Sequence, residues 1–165
     1  MPVTPFHWGP NSGLGLMLFK IFDFPTLLVS CVIIDVEPFL VLVLQPDYPL
    51  HGYLHTFAFG TVAALLTAAG MHATRAPIQE IMAAFKLGQK SSGLKIAESA
   101  LFGVYSHVLL DSFLYGDIRP LYPWEHNPFL HVFSSSQVYR FCGWSFVPAL
   151  VLYGYRLVRA GWRQT

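Results

Sequence analysis

The amino-acid sequence predicts an all-α membrane protein: a small polytopic helical bundle of about four spans, at least one broken or re-entrant, plus an interfacial amphipathic helix. Three observations lead there. Hydrophobic residues fill 54% of 165 positions and charged ones only 12%, about half the charged share of a soluble domain, and the mean hydropathy is +0.48. Apolar runs near the length needed to cross a bilayer recur along the chain. What interrupts them is a small set of acids, imidazoles and prolines. At this length residues 1–165 read as one membrane-embedded domain.

The remaining composition narrows the class. A net charge of +1 with no Lys/Arg block gives nucleic acid no footing. Cys31 and Cys142 sit in apolar runs without CxxC spacing and read as buried thiols. The first ten residues carry no basic residue, so they do not read as a signal peptide.

Met1–Pro10, with three prolines, reads as a loop that carries His7 beside Trp8. Asn11–Phe22 reads as a short Gly-rich helix, too short to span alone. Thr26–Leu44 is long enough, but Asp35-Val36-Glu37-Pro38 interrupts it. Proline removes a donor and disfavours helical dihedrals at Glu37, so a break is expected there. Acids at such a break belong in a protein-lined cavity, away from lipid. Gln45–Leu50 is a proline-flanked turn.

Thr56–Ala73 carries no Asp, Glu, Lys or Arg and reads as a span, preceded by His51-Gly52-Tyr53-Leu54-His55. Beyond it, Arg75, Lys86, Lys90 and Lys95 mark a basic segment. Ile78, Ile81, Met82 and Phe85 recur there at helical spacing, the pattern of a helix lying on a bilayer surface. Lys95–Tyr115 is the next span, Gly116–Ser136 a polar and aromatic loop, and Phe141–Tyr155 the last span, flanked by Arg140, Arg156, Arg159 and Arg163. Basic flanks face the cytoplasm. That rule puts His51, His55, the end of Lys95–Tyr115 and the 116–136 loop together on the extracytoplasmic side.

Candidate ligands follow from spacing. His107 and Asp111 are four apart in an apolar run, hence on one helical face. His51 and His55 form a second such pair if the helix begins ahead of them. Asp35 and Glu37 sit on the break, and His7 precedes the first helix. Buried ionisable groups need compensation, and a shared cation supplies it. His7, Asp35, Glu37, His51, His55, His107 and Asp111 are thus the candidate ligands for one or two divalent ions. Mixed imidazole and carboxylate ligation suits zinc first, with manganese or iron(II) as alternatives. Each pair alone also reads as ordinary helix packing; their agreement on one side favours the metal. His72, His126 and His131 read as structural or loop residues. Arg119 either clamps a phosphate bidentately or pairs with Asp117. The tryptophans and tyrosines read as an interfacial belt.

In this order the motifs resemble the YdjM/YbcI-like family of predicted membrane-bound metal-dependent hydrolases. The resemblance rests on His7, Asp35-x-Glu37-Pro38, Gly52-x-x-His55-Thr56, Tyr105-Ser106-His107-x-x-x-Asp111 and Arg119-Pro120-Leu121-x-Pro123. The chain departs from it where His51 stands at the family's arginine and Glu37 at its more usual aspartate. The resemblance implies a multi-span helical fold, a metal site and hydrolase activity. The expected chemistry is hydrolysis of an ester, a phosphoester before a carboxyl ester, in an amphiphilic or lipid substrate. The metal would activate water, Arg119 would stabilise developing charge, and Glu37 or Asp35 would serve as general base. The alternatives are a non-enzymatic metal-binding or transport protein and a purely structural membrane protein. The expected location is a prokaryotic inner or plasma membrane. Substrate and oligomeric state are left open.

Overall fold

The computed structural model of the chain describes residues 4–162; Arg163, expected to flank the last span, lies outside them, as do Met1–Val3. Regular structure among the described residues is helical. A single 3-10 turn, Thr4–His7, leads into α1 (Trp8–Met17). The expected loop is therefore shorter and the first helix begins three residues before Asn11. Pro10 falls in its first turn, where a missing N–H costs nothing. At 10 residues α1 is about 15 Å long, half a bilayer core.

Asp23 caps α2 (Phe24–Ile33), its carboxylate accepting the Thr26 N–H, and Pro25 sits in the first turn. α3 (Val36–Leu44) follows after two residues. The break at Asp35 is softer than the proline suggested. Ile34 and Asp35 keep right-handed helical dihedrals. The bonds tighten to i→i−3, with the Asp35 N–H on Val32 O and the Glu37 N–H on Ile34 O. Pro38 falls in the first turn of α3, the tolerated place for it. Glu37 accordingly stays helical.

Thr56 caps α4 (Phe57–Ala73) through the Phe59 N–H. α5 (Arg75–Ala84) leaves it at a 76° bend. Ser92 caps α6 (Gly93–Ser112) through the Lys95 N–H. α7 (Ser135–Trp144) and α8 (Phe146–Trp162) close the chain. A capping box, Ser134 with Gln137, starts α7 inside the segment expected to be loop.

Among the described residues, two helical segments are long and apolar enough to cross a membrane, Phe24–Leu44 and Ser135–Ala160, and a third if the bent α4–α5 pair counts as one. The expected number was about four. The shortfall lies in α6, which is 20 residues long but carries Lys95, Glu98, His107 and Asp111. These polar residues are tolerable because α6 is the central element, with α2 and α4 packed along it. Ile34, Ala64, Ala100, Val104 and Val108 fill the space between them. At Gly103 α2 comes so close that a Cβ would stand 2.0 Å from Ser30 Oγ and 2.9 Å from Leu27 O. α1 meets α7 as tightly, since a Cβ on Gly9 would reach 2.2 Å from the Cys142 carbonyl. The outward faces of α3, α4 and α8 expose Phe39, Leu44, Leu66, Leu150 and Val151, an apolar surface too large for water alone.

Candidate metal centre

Asp35, His55, His107 and Asp111 meet beside the C-terminal half of α6, each offering one donor atom, and all four atoms lie within 4.8 Å of one another. Local geometry aims each of them. His107 and Asp111 share a face of α6 as their spacing requires. Asp35, at the α2–α3 junction, does not cap α3; its Oδ1 stands 3.3 Å from His107 Nε2 and 3.9 Å from His55 Nε2. Asp111 Oδ2 is also 3.3 Å from His107 Nε2. An ion with bonds of about 2.1 Å in tetrahedral geometry sets its ligands about 3.4 Å apart. Two of the three carboxylate-to-imidazole distances, both to His107 Nε2, already match that edge.

The second nitrogen of each imidazole explains why the first points inward. His107 Nδ1 donates to the Cys31 carbonyl at 2.7 Å; a carbonyl only accepts, so this nitrogen carries the proton. Glu37 Oε2 lies 3.0 Å from His55 Nδ1 and orients that ring in the same way. With both rings in the neutral form, the Nε2 lone pairs then face carboxylates, acceptor against acceptor. Among the described residues, His55 Nε2, His107 Nε2 and Asp111 Oδ1 are buried without a hydrogen-bond partner. Leaving such groups unsatisfied is costly. A cation at the point where they converge removes the conflict, and imidazoles tied by their outer nitrogen are the usual way a protein holds one.

The other expected residues fall around this group. His7 stacks on His107 with ring centroids 3.8 Å apart and its Nε2 3.2 Å from Asp111 Oδ1. Asp111 thus stands between two imidazoles, one to each oxygen. Glu37 is behind His55, not beside the inner four. Its carboxylate also accepts from the Gly52 and Leu54 N–H groups and from the Tyr48 hydroxyl. His51 packs edge-on against His55, ring centroids 4.9 Å apart, but is not among the four. His55 belongs to a 3-10 turn, Tyr53–His55, which His51 precedes, so the two do not share a helical face. His51 Nδ1 and its backbone N–H both engage Asp117 instead. Arg119, which had two readings, is ion-paired with Glu125, at 3.1 Å and half exposed, and not with Asp117. It lines a cleft of about 410 Å3 with Tyr48, His51, Tyr53, Asp117 and Tyr122. His72, His126 and His131 are exposed.

Asn11 was not anticipated. Buried, it donates to the His7 carbonyl and accepts from Ser106 Oγ, tying the first turn to α6. An asparagine four residues after His7 in an apolar run was the available signal. The electrostatics differ between the histidines outside the helices. Burial and the nearby His107 hold the His7 pKa below its ordinary value despite Asp111. Burial and His55 likewise lower His51, against the pull of Asp117. At His55 burial also acts downward, but Asp35 and Glu37 outweigh it and raise the pKa.

Fold and site together define a helical protein with membrane-type segments and a His/Asp cluster able to hold a metal ion. Comparison with protein-family models, with curated proteins and with solved structures returned no match.

Proposed function

We propose that this chain is an integral membrane hydrolase that uses one or two divalent metal ions to cleave an ester, a phosphoester before a carboxyl ester, in a lipid-like substrate. One observation carries the reading. Two imidazoles whose outer nitrogens are tied back converge with two carboxylates on a single buried point. Histidine and carboxylate donors without thiolate suit zinc first, then manganese or iron(II). Asp111, with one oxygen toward His107 and the other toward His7, would help hold an ion on either side, which is the support for a second one. A divalent ion there lowers the pKa of water toward neutrality and so supplies the nucleophile for hydrolysis.

The chain's own residues do the rest. Asp35, the least buried of the four, is the donor on the open side. Glu37, engaged by four donors, positions His55 and keeps its tautomer. Arg119 at the rim of the cleft draws in an anionic head group. Water adds across the ester bond, giving an alcohol and an acid. The motif order resembling the YdjM/YbcI-like family points the same way. In the membrane we place four spans, with α6 shielded by its neighbours and α5 along the surface, for which the 76° bend is the support. The centre lies 12–16 residues beyond Lys95 on α6, about 18–24 Å along the helix. By the positive-inside rule it faces the extracytoplasmic side of a prokaryotic plasma membrane.

The test is metal analysis of the detergent-purified protein with a panel of phosphoesters and carboxyl esters, with and without chelator. Wild type should hold metal and lose turnover to the chelator. His107→Ala should lose both. Metal retained with no turnover on any ester would leave a metal-binding protein and refute the hydrolase reading. No bound metal in wild type would refute the centre itself.

A further inference from the structure

Beside the candidate centre, the α1–α2 face carries an apolar groove of about 410 Å3 lined by Trp8, Leu28, Val29, Val32, Ile33 and Val36. We infer that this groove is the subsite for one hydrocarbon chain of a membrane-resident lipid phosphoester, seated so that its head group reaches the centre; the inference rests on the hydrolase reading above.

Two adjacent pairs of residues connect groove and centre. His7 stacks on His107 inside the cluster, and the next residue, Trp8, walls the groove. Asp35 offers a donor to the cluster, and the next residue, Val36, lines the groove. Asp35, Val36 and Glu37 follow one another round the helix in steps of about 100°. The first faces the centre and the second the groove. The third faces Tyr48, which lines the polar cleft of Arg119. The centre thus adjoins an oily groove on one side of this stretch and, through Glu37 and Tyr48, a polar cleft on another, the surroundings an amphiphile needs if its cleaved bond joins tail to head.

The groove also has the properties of a tail site. Its lining carries no charged side chain. Trp8 spends its only polar group on the Leu28 carbonyl, so the indole offers the groove a wholly apolar face. The wall residues Val29, Ile33 and Val36 are more than a third exposed on a membrane-type segment. A chain can therefore slide in sideways from the bilayer without leaving hydrocarbon. Soluble phosphoesters lack the part that this surface would hold.

The experiment compares wild type with Val32→Phe, which fills the half-buried floor of the groove, and with Leu150→Phe, an equally bulky change on the outward face of α8 and away from the groove. Two readouts are used: kcat/KM on phosphoesters with four-carbon and sixteen-carbon chains, and crosslinking by a phospholipid with a diazirine midway along its tail. Displacing about two methylenes should lower kcat/KM for the long substrate about fifteenfold. The short substrate, the metal content and all values for Leu150→Phe should stay near wild type. Crosslinks should fall on the peptides carrying Trp8 and residues 28–36, and Val32→Phe should remove them. The inference is overturned if both chain lengths are affected alike, or if crosslinks spread evenly over the outer helices as for bulk lipid. Crosslinks joining two copies of the chain would overturn it too. Crosslinking does not need turnover, so an inactive but correctly labelled protein would refute the hydrolase reading and spare the groove.

Discussion

Replacing Glu37 with glutamine separates a residue that acts through His55 from one that binds the ion or takes the proton. The carboxylate accepts four hydrogen bonds, two on each oxygen: Gly52 N–H and His55 Nδ1 on Oε2, Tyr48 hydroxyl and Leu54 N–H on Oε1. An amide can accept on only one side. The cheaper orientation keeps its oxygen toward Gly52 and His55, because the Tyr48 hydroxyl can turn to accept from the new NH2 group. The Leu54 N–H is then orphaned, at about 1–3 kcal/mol of stability. His55 keeps its tautomer but loses the negative charge that makes it a better donor. Partners of this kind contribute about 10–100-fold to metal affinity, and the retained tautomer puts Glu37→Gln near tenfold, about 1.4 kcal/mol. The ion count should not change. Affinity is read by competition with a chromophoric chelator, stability by Tm in detergent, and turnover at saturating metal. A lost ion would make Glu37 a ligand, and turnover slowed by about two orders of magnitude or more at full occupancy would make it the general base. Either outcome refutes the reasoning, as does an affinity that does not move.

Three further outcomes follow from the same geometry. Gly103→Ala should destabilise the protein by about 3 kcal/mol or more, since the new Cβ meets Ser30 Oγ and the α2 backbone; because α2 also carries the Cys31 carbonyl that orients His107, metal content should fall with Tm. Metal affinity should weaken as pH falls, beginning above 6.5, because Asp35 and Glu37 raise the His55 pKa above that ordinary value and a bound proton competes with the ion. In the metal-free protein the sign reverses: the raised His55 contributes stability that is full below 6.5 and lost as pH rises through its folded value, whereas the lowered His7 and His51 act only below 6.5. The Tm gap between metal-loaded and metal-free protein should therefore widen with rising pH, and a constant gap from about pH 6 to 9 would count against His55 as a ligand. Arg119→Ala should raise KM for an anionic ester several-fold while metal content and Tm hold, since its ion pair with Glu125 is exposed; a matching loss of metal would sink its assignment to the cleft.

The legible parts of the centre were those governed by helix periodicity or by cost. His107 and Asp111 follow from a four-residue spacing in a segment that is helical in fact. Asp35 follows from the expense of an acid at a break in an apolar run. The His51–His55 pairing fails for the complementary reason. It assumed a helix where Gly52 opens a 3-10 turn; the two rings still meet edge-on, but His51 is held by Asp117 and only His55 is among the four. Glu37 was recognisable as important, but its position behind His55 depends on the Gly52–Leu54 backbone folding over it, and no local pattern encodes that. Apolarity likewise revealed the Phe24–Leu44 segment and the last one, but not how far α6 departs from them. That helix survives on its neighbours, and a hydropathy reading weighs each segment alone.

The placement of the four inner donors bears on how the molecule is assembled. All of them precede Phe113, on the unit formed by α2, α3, α4 and α6, and α7 and α8 contribute none. All four donors are therefore in place before α7 and α8 are made, and an ion held there would act as a rivet that fastens the early segments before the late pair docks against Gly9.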